Sequence, residues 1–269
     1  MKKLLIVGIA SVSLALSSCS TVPLTGRSRL NLVSDEQVLP MAFQAYGEFL
    51  TENKKAVLPT SNAQAQRVKT IGNKLIAAVQ NYMNSNNFGD QIANYKWEVN
   101  VVESKELNAW CMPGGKIVVY TGILPVTKDD AGLATVMGHE IAHAIAGHSA
   151  ERMSQEMVGQ GLGALGNAAT ANNSKRQSIF NTLYGIGAPL AMLSYGRNQE
   201  LEADRLGLIF MAMAGYNPQN AIGFWQRMAT AGQGSQKPPE FLSTHPSDET
   251  RIGRIQNALP EAQKYYKPK

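Results

Sequence analysis

The chain has 269 residues, of which 44% are hydrophobic and 17% are charged. Such a chain is long and apolar enough to bury a sizeable core in one globular domain, so a disordered or fibrous protein is excluded. The formal net charge of +5 is small and scattered, which argues against a nucleic-acid-binding protein.

The N-terminus has the pattern of an export signal, in which two lysines precede a short apolar stretch. Leu16-Ser17-Ser18-Cys19 resembles the lipobox of bacterial lipoproteins. The resemblance implies lipid attachment at Cys19 and an anchor at the periplasmic face of the bacterial outer membrane. An ordinary signal peptide with an accidental cysteine is the alternative. We expect a signal peptide over 1–18, a lipid-anchored tether over 19–33 and one domain over 34–269.

Two helices and a small sheet are predicted before the centre of the chain. Ser34 and Gln37 fit a helix-start capping box, and Ala65 to Met83 carries apolar residues at helical spacing. Tyr95 to Val102 and Lys116 to Tyr120 have the alternation of strands, the second after a Pro-Gly-Gly turn. These elements are predicted to form the scaffold.

A helix predicted from Ala131 to about Gly147 contains the motif His139-Glu140-Ile141-Ala142-His143 near its middle. A spacing of four residues puts His139 and His143 about 40° apart around the helix, so both rings can reach one ion. Two histidines and a glutamate in this pattern are typical of a zinc peptidase. Zinc would activate a water molecule, and Glu140 would take its proton and return it to the leaving amine.

A third protein ligand is needed, and the spacing of residues leaves its identity open. His148 lies nine positions after His139, about 180° around a continuous helix, so we expect it to face away and to lie at the helix end. Glu200 and Asp204 share one face of a helix predicted from Arg197 to Ala214. They could supply a ligand and its hydrogen-bonded support, or they could form a solvated acidic patch at the helix start.

The remaining segments are predicted to be helical or part of the core. The apolar run Ile179 to Tyr195 is interrupted by glycine, asparagine and proline, which favours a core segment over a membrane span. Asn217 and Pro218 predict the start of a helix that continues to about Met228, and a last helix follows Ser247-Asp248-Glu249.

Three motifs together, HEIAH, ELEADRLG and AGYNP, resemble the HtpX/BepA/LoiP group of gluzincin metalloendopeptidases. The resemblance implies that His139, His143 and Glu200 bind one Zn²⁺ ion, with Glu140 as the base. It also implies that Asp204 accepts the second N–H of a liganding histidine. The chain departs from the family pattern before the second motif, where Gly-Arg replaces the common Ser-Arg, so any role of that serine is absent. Without the spans of the HtpX type, the chain is similar to the periplasmic lipoprotein branch.

His245, followed by proline and then by Arg251, resembles the C-terminal motif of the periplasmic members of this group. The resemblance implies that His245 approaches the metal, either as a fourth ligand that blocks the site or as a donor to the developing oxyanion. A lone histidine in a surface loop is the plainer alternative.

The predicted fold is α+β and mainly helical, a zincin-type catalytic domain in which a small sheet packs against the motif helix. The predicted function is zinc-dependent cleavage of unfolded or misassembled envelope proteins, bound along Lys116 to Tyr120 as an edge strand. The alternative is a chaperone or assembly scaffold for outer-membrane proteins with little proteolysis. The expected partners are such proteins, the membrane through lipid on Cys19, and outer-membrane assembly machinery, without nucleic acid.

Overall fold

The computed structural model describes residues 19–22, 24–159, 174, 176, 178, 179, 195–232, 239–245 and 250–268. The predicted signal peptide over 1–18 lies outside these residues, as does nearly all of the predicted core segment over 179–195. The segment 159–174, whose glycine-, alanine- and asparagine-rich sequence predicts a loop or a weak helix, also lies almost wholly outside them. None of the described helices is long and apolar enough to cross a membrane.

Helices make up most of the described chain, and short strands form two small sheets. The helices are α1 (Asp35–Glu52), α2 (Ala63–Ser85), α3 (Leu124–Thr127), α4 (Asp130–Ile145), α5 (His148–Gly159), α6 (Arg197–Met213), α7 (Asn220–Gly232), α8 (Glu240–Thr244) and α9 (Arg251–Gln263). The strands are β1 (Cys19–Thr21), β2 (Ser28–Leu30), β3 (Glu98–Val102), β4 (Ala109–Met112) and β5 (Lys116–Tyr120). The predicted α+β, mainly helical fold class is confirmed.

Helix α1 begins where the sequence predicts. The Ser34 hydroxyl accepts a hydrogen bond from the backbone N–H of Gln37, and the Gln37 side chain accepts one from the Ser34 backbone N–H. This reciprocal pair satisfies two N–H groups that the first turn of a helix leaves without partners.

The larger sheet has the strand order β3-β5-β4, with β3 parallel and β4 antiparallel to β5. The prediction that Lys116 to Tyr120 forms an edge strand is therefore wrong, because β5 is the central strand. The tight Pro113-Gly114-Gly115 turn folds β4 back onto one side of β5, and β3 pairs with the other side. Strand β4 is an edge strand of this sheet, and helix α4 packs against it.

Helix α4 lies in the middle of the core, between the sheet and helices α2, α6 and α7. Asp129 caps its N-terminus, where the carboxylate accepts the backbone N–H of Gly132 at 2.8 Å. Every residue from Gly132 to Ile145 is buried. Its small residues, such as Ala134, Gly138 and Ala142, allow neighbours to pack closely on all of its faces.

Two glycines bring α4 and α6 into close contact. A Cβ atom on Gly138 would lie 3.0 Å from the carbonyl oxygen of Gly207, and one on Gly207 would lie 2.9 Å from the backbone nitrogen of His139. No larger residue fits at either position without moving a helix. The contact sets the distance between the histidine motif on α4 and the acidic motif on α6.

The described residues of the segment 19–33, which is predicted to be a tether, pack against the domain. Strands β1 and β2 pair antiparallel, and Val22 and Val33 are almost completely buried. The Ser154 hydroxyl on α5 accepts the backbone N–H groups of Leu32 and Val33 at 2.9 and 3.1 Å. Apolar residues among the polar ones give this segment a face that it can bury. The segment is polar on average, and that average does not reveal the apolar face.

Candidate metal centre

Four buried side chains from three parts of the chain converge on one point. His139 and His143 come from α4, Glu200 from the first turn of α6, and His245 follows α8. One ligand atom from each lies within 4.8 Å of the others. The Nε2 atoms of His139 and His143 are 3.1 Å apart, and Glu200 Oε1 lies 3.3 Å from His143 Nε2. Burial would raise the pKa of Glu200, but the surrounding histidines lower it well below its usual value.

His245 lies between the ligand cluster and the proposed base. Its Nδ1 atom is 3.1 Å from His139 Nε2 and 2.9 Å from Glu200 Oε1. Its Nε2 atom is 3.2 Å from Glu140 Oε1. The structure thus brings His245 to the centre of the site instead of leaving it in a surface loop.

The separations between these donor atoms fit a tetrahedral metal ion. With Zn–N distances of about 2.0–2.1 Å, neighbouring donors of a tetrahedral site lie roughly 3.3 Å apart. The contacts among His139, His143, Glu200 and His245 range from 2.9 to 3.5 Å. One proton cannot satisfy ring nitrogens that all face the same point, whereas a cation accepts every lone pair. Two imidazoles and a glutamate are also a known donor set of catalytic zinc.

Asp204 and Arg251 support the first histidine from behind. Asp204 Oδ1 lies 2.9 Å from His139 Nδ1, and the Arg251 guanidinium donates to both Asp204 oxygens at 2.7 and 2.9 Å. Arg251 Nη2 also lies 3.1 Å from Glu200 Oε2, and its guanidinium stacks on the Trp225 ring at 3.4 Å. Burial would raise the pKa of Asp204, but Arg251 and His139 lower it. Arg251 therefore balances the charge of two buried carboxylates.

In the sequence, Arg251 is recognised only as part of the motif that contains His245, and its contact with Asp204 is not predicted. Arg251 lies 47 residues after Asp204, so neither helical spacing nor local charge pattern connects them. A buried arginine beside two carboxylates can be recognised only once α6 and α9 are packed together.

Glu140 lies buried beside the cluster. Burial raises its pKa to about 7, although His245 opposes the shift, and a backbone hydrogen bond from Cys111 on β4 also stabilises the charged form. A carboxyl group with a pKa near neutrality can both accept and return a proton at physiological pH.

His148 lies close to His143, and the prediction that it faces away at a helix end is wrong. Helix α4 ends at Ile145, and Gly147 has a φ of +65°, so the chain turns before His148 begins α5. The angle counted along one continuous helix therefore does not apply. His148 Nδ1 is 2.7 Å from His143 Nδ1, and His148 Nε2 is 3.0 Å from Glu202 Oε2.

Aromatic rings cover the cluster. Tyr195 stacks on His143 with ring centroids 3.9 Å apart, and Phe241 lies over His245 at 4.6 Å. The backbone N–H of Phe241 donates to the carbonyl of Leu107, two residues before β4. The segment 239–245 thus covers both the cluster and the approach to the edge strand.

Comparison with known proteins identifies relatives over most of the chain. The model of Peptidase family M48 matches residues 62–259. The chain is 35% identical over 242 residues to the mitochondrial metalloendopeptidase OMA1 of Schizosaccharomyces pombe, covering 90% of this chain and 67% of that protein. It is 32% identical over 248 residues to the human mitochondrial metalloendopeptidase OMA1, covering 90% and 46%. It is 27% identical over 247 residues to the beta-barrel assembly-enhancing protease of Escherichia coli, covering 89% and 47%.

The chain spans about half the length of the human and Escherichia coli relatives. The prediction of a lipid-anchored protein at the bacterial outer membrane is wrong, because the similar proteins from two yeasts and from human are mitochondrial. A lipobox-like pattern consists of four residues, whereas the similarity to these proteins extends over nine tenths of the chain.

Proposed function

This chain belongs to Peptidase family M48, and from that membership we propose that it is a zinc-dependent metalloendopeptidase that cleaves unfolded or misassembled proteins. The observation that carries the proposal is the convergence of His139, His143 and Glu200 on one point, with Glu140 beside them. The three donors would hold Zn²⁺, and Asp204 would fix the ring of His139.

The chemistry follows from where Glu140 lies. Zinc, when bound, supplies the Lewis acidity that makes a water nucleophilic and polarises the scissile carbonyl. Glu140 accepts one proton from that water while the oxygen of the water attacks the peptide carbon. It then delivers the same proton to the leaving amine, so the carboxylate is regenerated when the C–N bond breaks.

Substrate recognition is proposed at the edge of β4 that does not pair with β5. One side of β4 pairs with β5, and on the other side the backbone of Cys111 donates to Glu140. A peptide that adds to this edge as a further strand would therefore present its carbonyl groups beside the base. Pairing through main-chain hydrogen bonds depends little on side chains, which suits unfolded or misassembled substrates.

Removal and return of zinc tests the proposed function. We expect the wild-type protein to cleave unfolded casein, to lose that activity when a chelator removes its metal, and to recover it with about one equivalent of Zn²⁺. Cleavage that survives complete removal of metal would contradict a zinc mechanism. Zinc-loaded protein that binds casein without cutting it would instead favour the scaffold alternative.

His245 is proposed to block the metal site in the arrangement that the structure contains. Its Nδ1 atom lies among the donors where a fourth ligand belongs, and the segment 239–245 covers the cluster. A catalytic zinc site must keep one position open for water. His245 must therefore move away before a substrate is cleaved.

Substitution of His245 distinguishes this role from that of an oxyanion donor. If the blocked form makes up about 90–99% of molecules, His245→Ala raises casein turnover roughly 10–100-fold. A donor to the oxyanion would instead show a loss of roughly 10²–10³-fold. Ser243→Ala, in the short helix α8 that precedes His245, serves as the control with unchanged turnover. Equal turnover in His245→Ala and wild type would rule out both roles.

A further inference from the structure

We propose that His148, held by Glu202 and Arg27, is a positioning residue that fixes the ring and the proton of His143 for metal binding. The proposal rests on the proposed zinc site and adds to it a support for the second histidine. His139 has its own support in Asp204, whereas no carboxylate contacts His143 Nδ1 among the described residues. Its place is taken by the imidazole of His148.

The contacts form a continuous path away from the metal cluster. His143 Nδ1 lies 2.7 Å from His148 Nδ1, and His148 Nε2 lies 3.0 Å from Glu202 Oε2. The same Glu202 carboxylate accepts the Thr25 hydroxyl and, at 2.7 Å, the Arg27 Nε–H. His143 and His148 are completely buried, and the Glu202 side chain is 5% exposed.

The positions of the protons follow from these partners. The Glu202 carboxylate already accepts the Thr25 hydroxyl and the Arg27 Nε–H, so it faces His148 Nε2 as an acceptor. The shared proton therefore belongs to His148 Nε2, and neutral His148 has a lone pair on Nδ1. His143 must then donate its Nδ1 proton to His148, which leaves the lone pair of His143 on Nε2. That atom faces His139 and Glu200 in the cluster.

The outer end of the path is the N-terminal segment from Thr25 to Arg29, which precedes the region matched by the family model. Arg27 donates to both oxygens of Glu151 at 2.8 Å while it also binds Glu202. Gln199, the residue before Glu200, donates a side-chain hydrogen bond to Glu151. Arg27 thus separates two carboxylates that would repel each other and holds α5 and α6 together behind His148.

The test uses two substitutions of His148 with opposite expectations. His148→Leu fills the buried space without a hydrogen-bond acceptor, whereas His148→Asn places an amide oxygen near the position of Nδ1. We expect His148→Leu to weaken zinc binding roughly 10–100-fold, as loss of an outer partner does, and His148→Asn to recover most of that loss. Zinc affinity is measured by competition with a chromophoric chelator, and the visible bands of the Co²⁺-substituted protein report ligand geometry.

Each outcome decides the proposal. Equal zinc affinity and equal Co²⁺ bands in wild type and His148→Leu would overturn it while leaving the zinc site intact. An asparagine variant as weak as the leucine variant would also overturn it, because packing would then matter and the acceptor would not. A wild-type protein that binds no zinc would contradict the proposed function itself, and this inference with it.

Arg27→Gln tests the N-terminal end of the path by the same measurements. We expect a weaker effect in the same direction as that of His148→Leu. Arg205→Gln is the matched control. Arg205 makes a similar pair of hydrogen bonds to Glu261, at 2.6 and 2.8 Å, and this pair does not contact His148. Equal losses in the two arginine variants, or unchanged affinity in Arg27→Gln, would overturn the role of this segment. If the His148 and Arg27 variants unfold while the control variant stays folded, these residues support the fold, and their proposed role in positioning His143 is overturned.

Discussion

Glu140→Gln is expected to lower casein turnover by roughly 10²–10⁴-fold, the usual contribution of a general base, while the protein keeps its zinc. Glutamine has nearly the shape of glutamate but cannot take a proton from water at any physiological pH. The side chain lies outside the proposed ligand set of His139, His143 and Glu200, so the metal site should remain complete. The large loss is therefore expected in kcat, measured at saturating casein, with little change in zinc content.

A matched control separates loss of the base from a general effect of removing a carboxylate. Glu261→Gln makes the same chemical change on α9, where the carboxylate pairs with Arg205 at the surface. We expect that variant to cleave casein at the wild-type rate. Casein cleavage by Glu140→Gln at a rate close to wild type would reject Glu140 as the base, whatever the metal content.

Helical periodicity was sufficient to predict which residues could meet at the site. Spacings of four residues put His139 with His143, and Glu200 with Asp204, on single faces of two helices that the structure contains. The distance between those helices could not be predicted in this way. It depends on the contact between Gly138 and Gly207, two residues whose sequence context gives no sign that they meet.

Local rules failed where the chain turns or where distant elements meet. Counting along one continuous helix puts His148 on the face opposite His139, but the helix ends before the left-handed Gly147 and the chain turns there. The strand order was equally hidden, since alternation identifies strands without giving their neighbours. The support from Arg251, and from Arg27 in the predicted tether, depends on contacts across more than 40 residues of sequence.

The contribution of Glu200 to metal binding decides whether the site is the one proposed. His245 Nδ1 is 2.9 Å from Glu200 Oε1 and could replace the missing ligand, so the test uses the His245→Ala background. There His139 and His143 would be the only ligands left from the cluster once Glu200 is removed. Two imidazoles alone hold zinc poorly, because catalytic sites use three protein ligands.

The most direct measurement is therefore the zinc affinity of His245→Ala beside that of the double variant His245→Ala/Glu200→Ala. We expect the single variant to bind about one Zn²⁺ per chain, the stoichiometry of a mononuclear catalytic site. The zinc affinity of the double variant should be lower by a larger factor than the roughly 10–100-fold that follows the loss of a residue hydrogen-bonded to a ligand. Undiminished zinc affinity in a folded double variant would contradict the assignment of His139, His143 and Glu200 as the metal site.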